Sequence, residues 1–404
     1  MVATVTSYTL SRNRANPGEG FDGVVRVSVG SSYGTGVLLY DGRAVLTAAH
    51  LLKTATGTAT SALVHFQTTA GSQSITTSKI GIIPSYDSIN SNNDLALVWL
   101  SRAAPVTGNR YEIYRNSDEI GQIMTLVGYG SPGSGATGIE HTYTGTPLRI
   151  KAQNRPDADA GTLKASLGSL MSWNPAAGTL LTADFDNGLT QNDALGRLLG
   201  VSDTGMGIDE GMLTPGDSGG PAFINRQVAG IADYSVRLAR GDVQPDVDTS
   251  PNSSFGELGF WQRISHYQQW IDQSLRNNYS SAPTKPEEVQ KQIAEGNSAT
   301  THTYFLVQFN GLRTDPNATL SVNYTTRDGT AKAGEDYLAV SGKLLLYPDE
   351  SQAVIPVEII GDTLPEPNQN FYLDISSPVG GSFSNDAITL TAMRTILDDD
   401  GWLG

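Results

Sequence analysis

The chain has 404 residues, with 26 Lys and Arg against 41 Asp and Glu, a net charge of −15 and 38% hydrophobic content. That length admits two or three domains, and the charge argues against nucleic acid as a partner, because phosphates need clustered Lys and Arg. Cysteine is absent, which excludes disulfides, thiolate metal sites and cysteine nucleophiles but leaves the compartment open; no apolar run approaches the ~20 residues of a membrane helix.

The opening MVATVTSYTL is too polar for the apolar centre of a signal peptide. Strands are then expected at VVRVSV (24–29) and GVLLY (36–40), followed by RAVLTAAHLL, in which a strand runs into a turn. SALVHFQ, DLALVWL, IMTLVGYG, RLLGVS, QVAGIADYSV and GELGFWQR extend the series. Many short strands between Gly-rich turns predict an all-β barrel or sandwich. Within this stretch, TADFDNGLTQND (182–193) carries Asp184, Asp186 and Asp193. Spaced acids suit calcium, but the segment reads as a polar surface loop.

FWQRISHYQQWIDQSLRNN breaks the pattern. Ile264, Tyr267, Trp270, Ile271 and Leu275 recur at three and four, one apolar face of a helix. SSAPTKPEE follows and reads as a linker. The expected organisation is a first domain over 1–280, a linker over 281–288 and a second domain over 289–404. In the second, TYFLVQFNG, LSVNYTT, GKLLLYP, AVIPVEII, NFYLDIS and AITLTAMRTIL predict a sandwich of about seven short strands. Roughly two thirds of the negative excess falls after residue 280.

The stretch TPGDSGGPAF (214–223) is either a glycine-rich turn or the seat of a nucleophile. Acyl transfer by serine needs a hydroxyl, a base, an acid to orient the base, and donors for the oxyanion. His50 in LTAAH, Asp94 in NNDLALV and Ser218 in GDSGGP supply the three side chains at strand edges. Gly216 lets the chain bend so that its N–H and that of Ser218 can share one hole, and Gly219 and Gly220 permit close approach of neighbouring strands.

These segments resemble the trypsin/chymotrypsin-like serine peptidases. TAAH, DLAL and GDSGGP stand in that family's order, with GYG (128–130), QVAGIADYS and the helix QRISHYQQWI also similar, over about residues 20–278. The resemblance implies a two-barrel chymotrypsin-like fold closed by a C-terminal helix. It implies His50 as general base, Asp94 as its orienting acid, Ser218 as nucleophile, and the amides of Gly216 and Ser218 as the oxyanion hole. It also implies a substrate pocket with Met212 at its base, Tyr234 and Ser235 in one wall, and Gly259 leaving it open. Met212 is not an acid, so the pocket is expected to favour Leu, Met, Phe or Tyr over Lys and Arg, a buried unpaired charge being costly; Asp209, Glu210 and Asp233 are nearby acids that can alter this. Three departures stand out. Leu51 replaces the family's usual cysteine. Asp233 replaces a serine that contacts the orienting Asp, and either perturbs Asp94 or turns away. No IVGG-like start is present, which leaves the partner of Asp217 open.

In the second domain Glu295, Asp336, Asp362, Glu366 and the run Asp398, Asp399, Asp400 fall at strand ends. Loops from distant strands meet at one end of a sandwich, and Ca²⁺ accepts irregular cages of six to eight oxygens. DGTAKAGEDYLAVSGKLLLYPDESQAVIPVEIIGD, PEPNQNFYLDIS and ILDDD are similar to a Calx-beta domain, over roughly 290–400. The resemblance implies calcium as cofactor, with those seven acids as ligand positions. Gly361 and Gln369 stand where calcium-rich members often have acids. The combined expectation is an exported bacterial serine endopeptidase acting on protein or peptide substrates, its leader outside this chain, with a calcium-binding accessory sandwich. The alternative is an adhesion or binding protein on an inactive or zymogen scaffold.

Overall fold

The computed structural model describes residues 2–54 and 57–401. It is mostly β and divides into two compact units. One comprises residues up to Leu39, Arg43–Arg102 and Thr107–Trp270; the other comprises Tyr40–Gly42, Ala103–Val106 and Ile271 onwards. The helix Ile264–Arg276 crosses that division. Among the described residues no helix is long and apolar enough to cross a membrane.

The first unit begins with a closed six-stranded barrel. Val24–Val29, Ser32–Leu38, Ala44–Thr47, Ala96–Leu100, Gly71–Ile82 and Leu63–Thr68 follow one another around it. Val25, Val27, Leu38, Val45, Val64, Phe66 and Val98 share one face of the barrel wall and are buried, as inward positions of a small barrel must be. The second half is a seven-stranded antiparallel sheet. Its order is Ile150–Asn154, Met124–Gly128, Pro221–Ile224, Gln227–Val236, Leu258–Arg263, Leu180–Asp184 and Ala158–Asp159. Trp261, Phe185, Met212, Leu126 and Leu181 lie in its core.

Three features depart from the sequence expectation. RLLGVS is not a strand: Ala194–Leu199 is a short helix. Asp193 caps it by accepting from the Gly196 amide, and Gly200 ends it at φ +80°, so the two caps decide the local structure. The 182–193 segment is a surface loop only over 188–191, and its acids are not on it: Asp184, Asp186 and Asp193 are each 3% exposed or less. Finally, Ala3–Thr4 forms a buried strand, parallel to Gly133–Ser134 and antiparallel to Gly211–Met212.

The second unit is a sandwich. One sheet has the order Gln292–Ala294, Thr389–Leu397, Gln369–Val379, Leu320–Asp328 and Ser341–Leu346; the other pairs Thr300–Gln308 with Gln352–Ile360. Phe305, Ile355, Val357, Phe371, Leu373 and Ile396 fill the space between them. Tyr337 stacks on Phe371 at 4.5 Å.

Candidate active site

His50 leaves the barrel strand Ala44–Thr47 and opens the turn His50–Leu52. Asp94 holds it twice: Oδ1 accepts the His50 backbone N–H at 2.8 Å, and Oδ2 lies 2.5 Å from Nδ1. The Asp94 side chain is 2% exposed and that of His50 36%, so the acid is sealed while the ring stays open to solvent. Burial would raise Asp94, but the hydrogen bonds and charge of His50 outweigh it and hold the carboxyl below its ordinary range. Using Nδ1 for this contact leaves Nε2 to exchange a proton elsewhere.

Ser218 lies on the turn before Pro221–Ile224. Gly216 sits at φ +96° and Gly219 at φ +81°. A Cβ on Gly219 would come within 2.1 Å of Thr47 Oγ1 and 2.8 Å of the Ala48 amide. The nucleophile turn is therefore packed against the strand end that leads into His50. Amides around the turn are spoken for: Asp217 donates to Thr214 O, Gly219 to Ala232 O and Gly220 to Asp217 O. The Gly216 and Ser218 amides have no acceptor among the described residues, which suits an oxyanion site.

Thr35, fully buried in the first barrel, ties the halves together and carries no sequence motif. Its amide donates to Ser218 O at 2.9 Å and its hydroxyl to Gly216 O at 2.8 Å, while the hydroxyl accepts from the Tyr129 amide at 3.0 Å. Asp217 is buried beneath the turn. Its Oδ1 accepts the Gly130 amide, and its Oδ2 accepts both the amide and the hydroxyl of Thr214. Burial pushes it up to about 6.

Asp233 does not turn away. It is 5% exposed, lies with His50 and Asp94 in one cluster of ligand-type atoms within 4.8 Å, and accepts from Gln262 Nε2 at 2.7 Å. Burial, and then the charge of Asp94, raise it well above the carboxylate range. Gln262 Nε2 also donates to Ser91 O, and the Tyr267 hydroxyl sits 2.9 Å from Gln262 Oε1 and 3.0 Å from Asn93 Oδ1. The helix carrying Tyr267 thus braces the loop that carries Asp94.

Of the residues expected to line the pocket, Tyr234, Ser235 and Gly259 fall on adjoining strands and Met212 on a strand of another sheet. Ser235 pairs with Gly259, and a Cβ on Gly259 would lie 2.5 Å from Met212 Sδ. Met212 is fully buried. The Tyr234 ring stacks on Phe260 at 4.6 Å, and its hydroxyl accepts from Trp173 Nε1 at 2.8 Å. The nearby acids are committed elsewhere: Asp209 pairs with Arg12 at 2.7 Å, and Glu210 accepts the amides of Asp186 and Met206.

In the sandwich, Glu295, Asp362 and Asp400 come together, their oxygens within 4.8 Å of one another. Glu295 Oε1 and Asp400 Oδ2 are buried without a partner among the described residues. Burial and the charges of Asp362, Asp398, Asp400 and Glu366 push Glu295 up to about 7. Glu366 is likewise raised by burial and by Asp336, Asp362 and Asp398. Asp398 Oδ1 accepts the Glu366 amide, and Asp336 Oδ2 the Lys332 amide. Asp399 instead faces the Gly296 amide at 3.1 Å. A Cβ on Gly361 would stand 2.2 Å from Gly296 O, so no acid fits there. Gln369 donates to Glu366 and keeps Oε1 buried and unpartnered, a neutral oxygen in place of a charged one. Orphaned hard oxygens converging on one end of a sandwich fit a calcium ion.

A family model described as Trypsin matches residues 11–160, and one described as Calx-beta domain matches residues 290–400. The second stretch is similar to sodium/calcium exchanger 2 of Rattus norvegicus, 35% identical over 97 residues, 21% of this chain and 10% of that protein. Sodium/calcium exchanger 1 of Cavia porcellus is 38% identical over 97 residues, with shares of 20% and 10%. The sodium/calcium exchanger Calx of Drosophila melanogaster is 35% identical over 88 residues, with shares of 22% and 9%. The chain thus spans about a tenth of the length of these relatives. Among solved structures, neuropsin, a serine protease expressed in the limbic system of mouse brain, aligns at 17% identity and a TM-score of 0.46, over 65% of this chain and 98% of that one. The chain carries a trypsin-family domain followed by a Calx-beta domain.

Proposed function

We propose that the chain is a serine endopeptidase. The observation that carries this reading is the clamp of Asp94 on His50 Nδ1 combined with a glycine-bounded turn whose Gly216 and Ser218 amides have no acceptor among the described residues. Ser218 Oγ attacks the peptide carbonyl while His50 Nε2 takes its proton. The two amides hold the oxyanion, and His50 returns the proton to the leaving amine. Water then repeats the sequence to release the acyl group. Asp94 fixes the tautomer and stabilises the imidazolium that forms. Met212 at the pocket base, with Asp209, Glu210 and Asp233 committed to other partners, supports cleavage after apolar residues, and a substrate library cut mainly after Lys or Arg would refute that preference.

The Calx-beta match and the names of the exchanger relatives support calcium as the ion of the sandwich. Glu295, Asp362 and Asp400 would hold it, with Asp336, Glu366 and Asp398 adding negative charge and Gln369 Oε1 a neutral oxygen; an ion there neutralises the repulsion these acids impose on one another.

The test is labelling by a fluorophosphonate, which reacts only with an activated serine. Wild type is expected to label and to hydrolyse casein, and Ser218→Ala to do neither. Absence of labelling in the wild type, at neutral pH and with calcium present, would make the first unit an inactive scaffold.

A further inference from the structure

Asp184, Asp186 and Asp193 lie in the first unit, outside the Calx-beta match and apart from the catalytic trio. Asp184 ends the strand Leu180–Asp184, Asp186 follows two residues later, and Asp193 caps the helix Ala194–Leu199. Their ligand oxygens lie within 4.8 Å of one another. Two of the carboxylates have an amide partner: Asp184 Oδ2 accepts from Leu195 N at 2.7 Å and Asp193 Oδ1 from Gly196 N at 2.6 Å. Asp186 differs. The residue is 3% exposed, and its Oδ1 has no partner among the described residues. No Lys, Arg or His pairs with any of the three among the described residues, and the nearby Arg155 is engaged by Asp203 at 3.1 Å.

We propose that the peptidase-like unit holds a divalent cation site of its own, with calcium as its occupant, built from Asp184, Asp186 and Asp193. Three buried carboxylates without a counter-cation are costly. A hard ion that tolerates irregular oxygen cages removes that cost. Thr182 supports the site. It stands two residues before Asp184, hence on the same face of the strand, and its hydroxyl is also buried and unpartnered. The other way to neutralise the cluster is with protons, since burial and like charge push Asp184 up to about 7 and Asp186 to about 10. Binding measurements separate the two. The site has a functional address: the Asp186 amide donates to Glu210, and Glu210 leads through Gly211 and Met212 into the nucleophile turn. Occupancy would stiffen the floor of the substrate pocket.

Calcium chloride is titrated calorimetrically into the full chain bearing Glu295→Gln and Asp362→Asn, which removes two acids of the sandwich site. One saturable calcium site is expected to remain, with a rise in Tm on calcium addition. Adding Asp186→Asn is expected to weaken that site by about tenfold or more, because ligand charge sets affinity, and to shrink the Tm rise at a fixed calcium concentration. Asp193→Asn is the second variant. Asn caps a helix as well as Asp does, so weaker calcium binding there cannot be assigned to a lost cap. Absence of binding to the Glu295→Gln/Asp362→Asn protein up to about 10 mM, above the weakest common calcium modules, would overturn the proposal. So would an affinity in Asp186→Asn and in Asp193→Asn unchanged from that of the Glu295→Gln/Asp362→Asn parent. If wild type and the Glu295→Gln/Asp362→Asn protein bind alike, the sandwich reading fails while this one stands.

Discussion

Two buried carboxyls beside one imidazole cannot both be ionised cheaply, and Asp94 and Asp233 divide the task. His50 draws Asp94 down, and burial next to that charge drives Asp233 up. Burial and the charge of Asp94 favour the protonated form of Asp233, which puts a donor toward Asp94. A residue with a raised folded-state pKa contributes stability that is fully present below its unfolded value near 3.8 and is lost as pH rises through the folded value. Asp233→Asn keeps the shape, a donor toward Asp94 and an acceptor for Gln262. It is expected to retain activity near neutral pH and to extend it on the alkaline side. Its Tm is expected to exceed that of wild type by a margin that grows with pH. A pH profile of kcat/KM and Tm checks this, and superimposable profiles for the two proteins would mean that Asp233 does not titrate against Asp94.

At the scale of elements, the nucleophile turn is positioned by a strand of the other half. Thr35→Val keeps the side-chain volume but leaves Gly216 O and the Tyr129 amide without their hydroxyl partner. A buried unsatisfied group costs about 1–3 kcal/mol. The expected result is a kcat/KM roughly tenfold to a hundredfold lower, carried by kcat and by slower fluorophosphonate labelling with KM little changed. A uniform rise in KM would place the defect in substrate binding. Thr35 also marks the limit of what the sequence discloses. His50, Asp94 and Ser218 stood out as candidates because each sits in a short motif at a strand edge, and the strands around them alternate or run apolar; the structure joins the first two. Thr35 stands in SYGTG, where nothing local signals a contact with residue 216. Ala3–Thr4 was illegible for the same reason, since its partners lie near 133 and 211. The acids of 182–193 looked solvent-exposed because polar composition reads as surface. Only the folded chain shows the strand and helix that bury them. Gly361 and Gln369 looked like losses at a calcium site. The backbone of Gly296 explains the first, and a buried neutral oxygen gives the second a use.

For the whole molecule, the net charge of −15 makes two responses to ions distinguishable. Dispersed surface acids repel one another, and any salt screens them over a Debye length of about 10 Å at 0.1 M. Converging acids such as buried Glu295 and half-buried Asp362 respond to an ion that enters among them, and salt at a distance cannot replace it. Calcium at a hundred times its Kd stabilises the folded state by about 2.7 kcal/mol per site bound, whereas sodium chloride of equal ionic strength acts only through screening. The expected outcome in the full chain is a Tm that rises with calcium well beyond the sodium chloride control and falls back with a chelator. Glu295→Gln with Asp362→Asn removes the part of that rise that belongs to the sandwich, because two of the three converging carboxylates are neutralised while its apolar core of Phe305, Ile355 and Phe371 is untouched. Equal Tm gains from calcium and from matched sodium chloride would reduce the acidic tail to a solvated surface and remove calcium from the account of this domain.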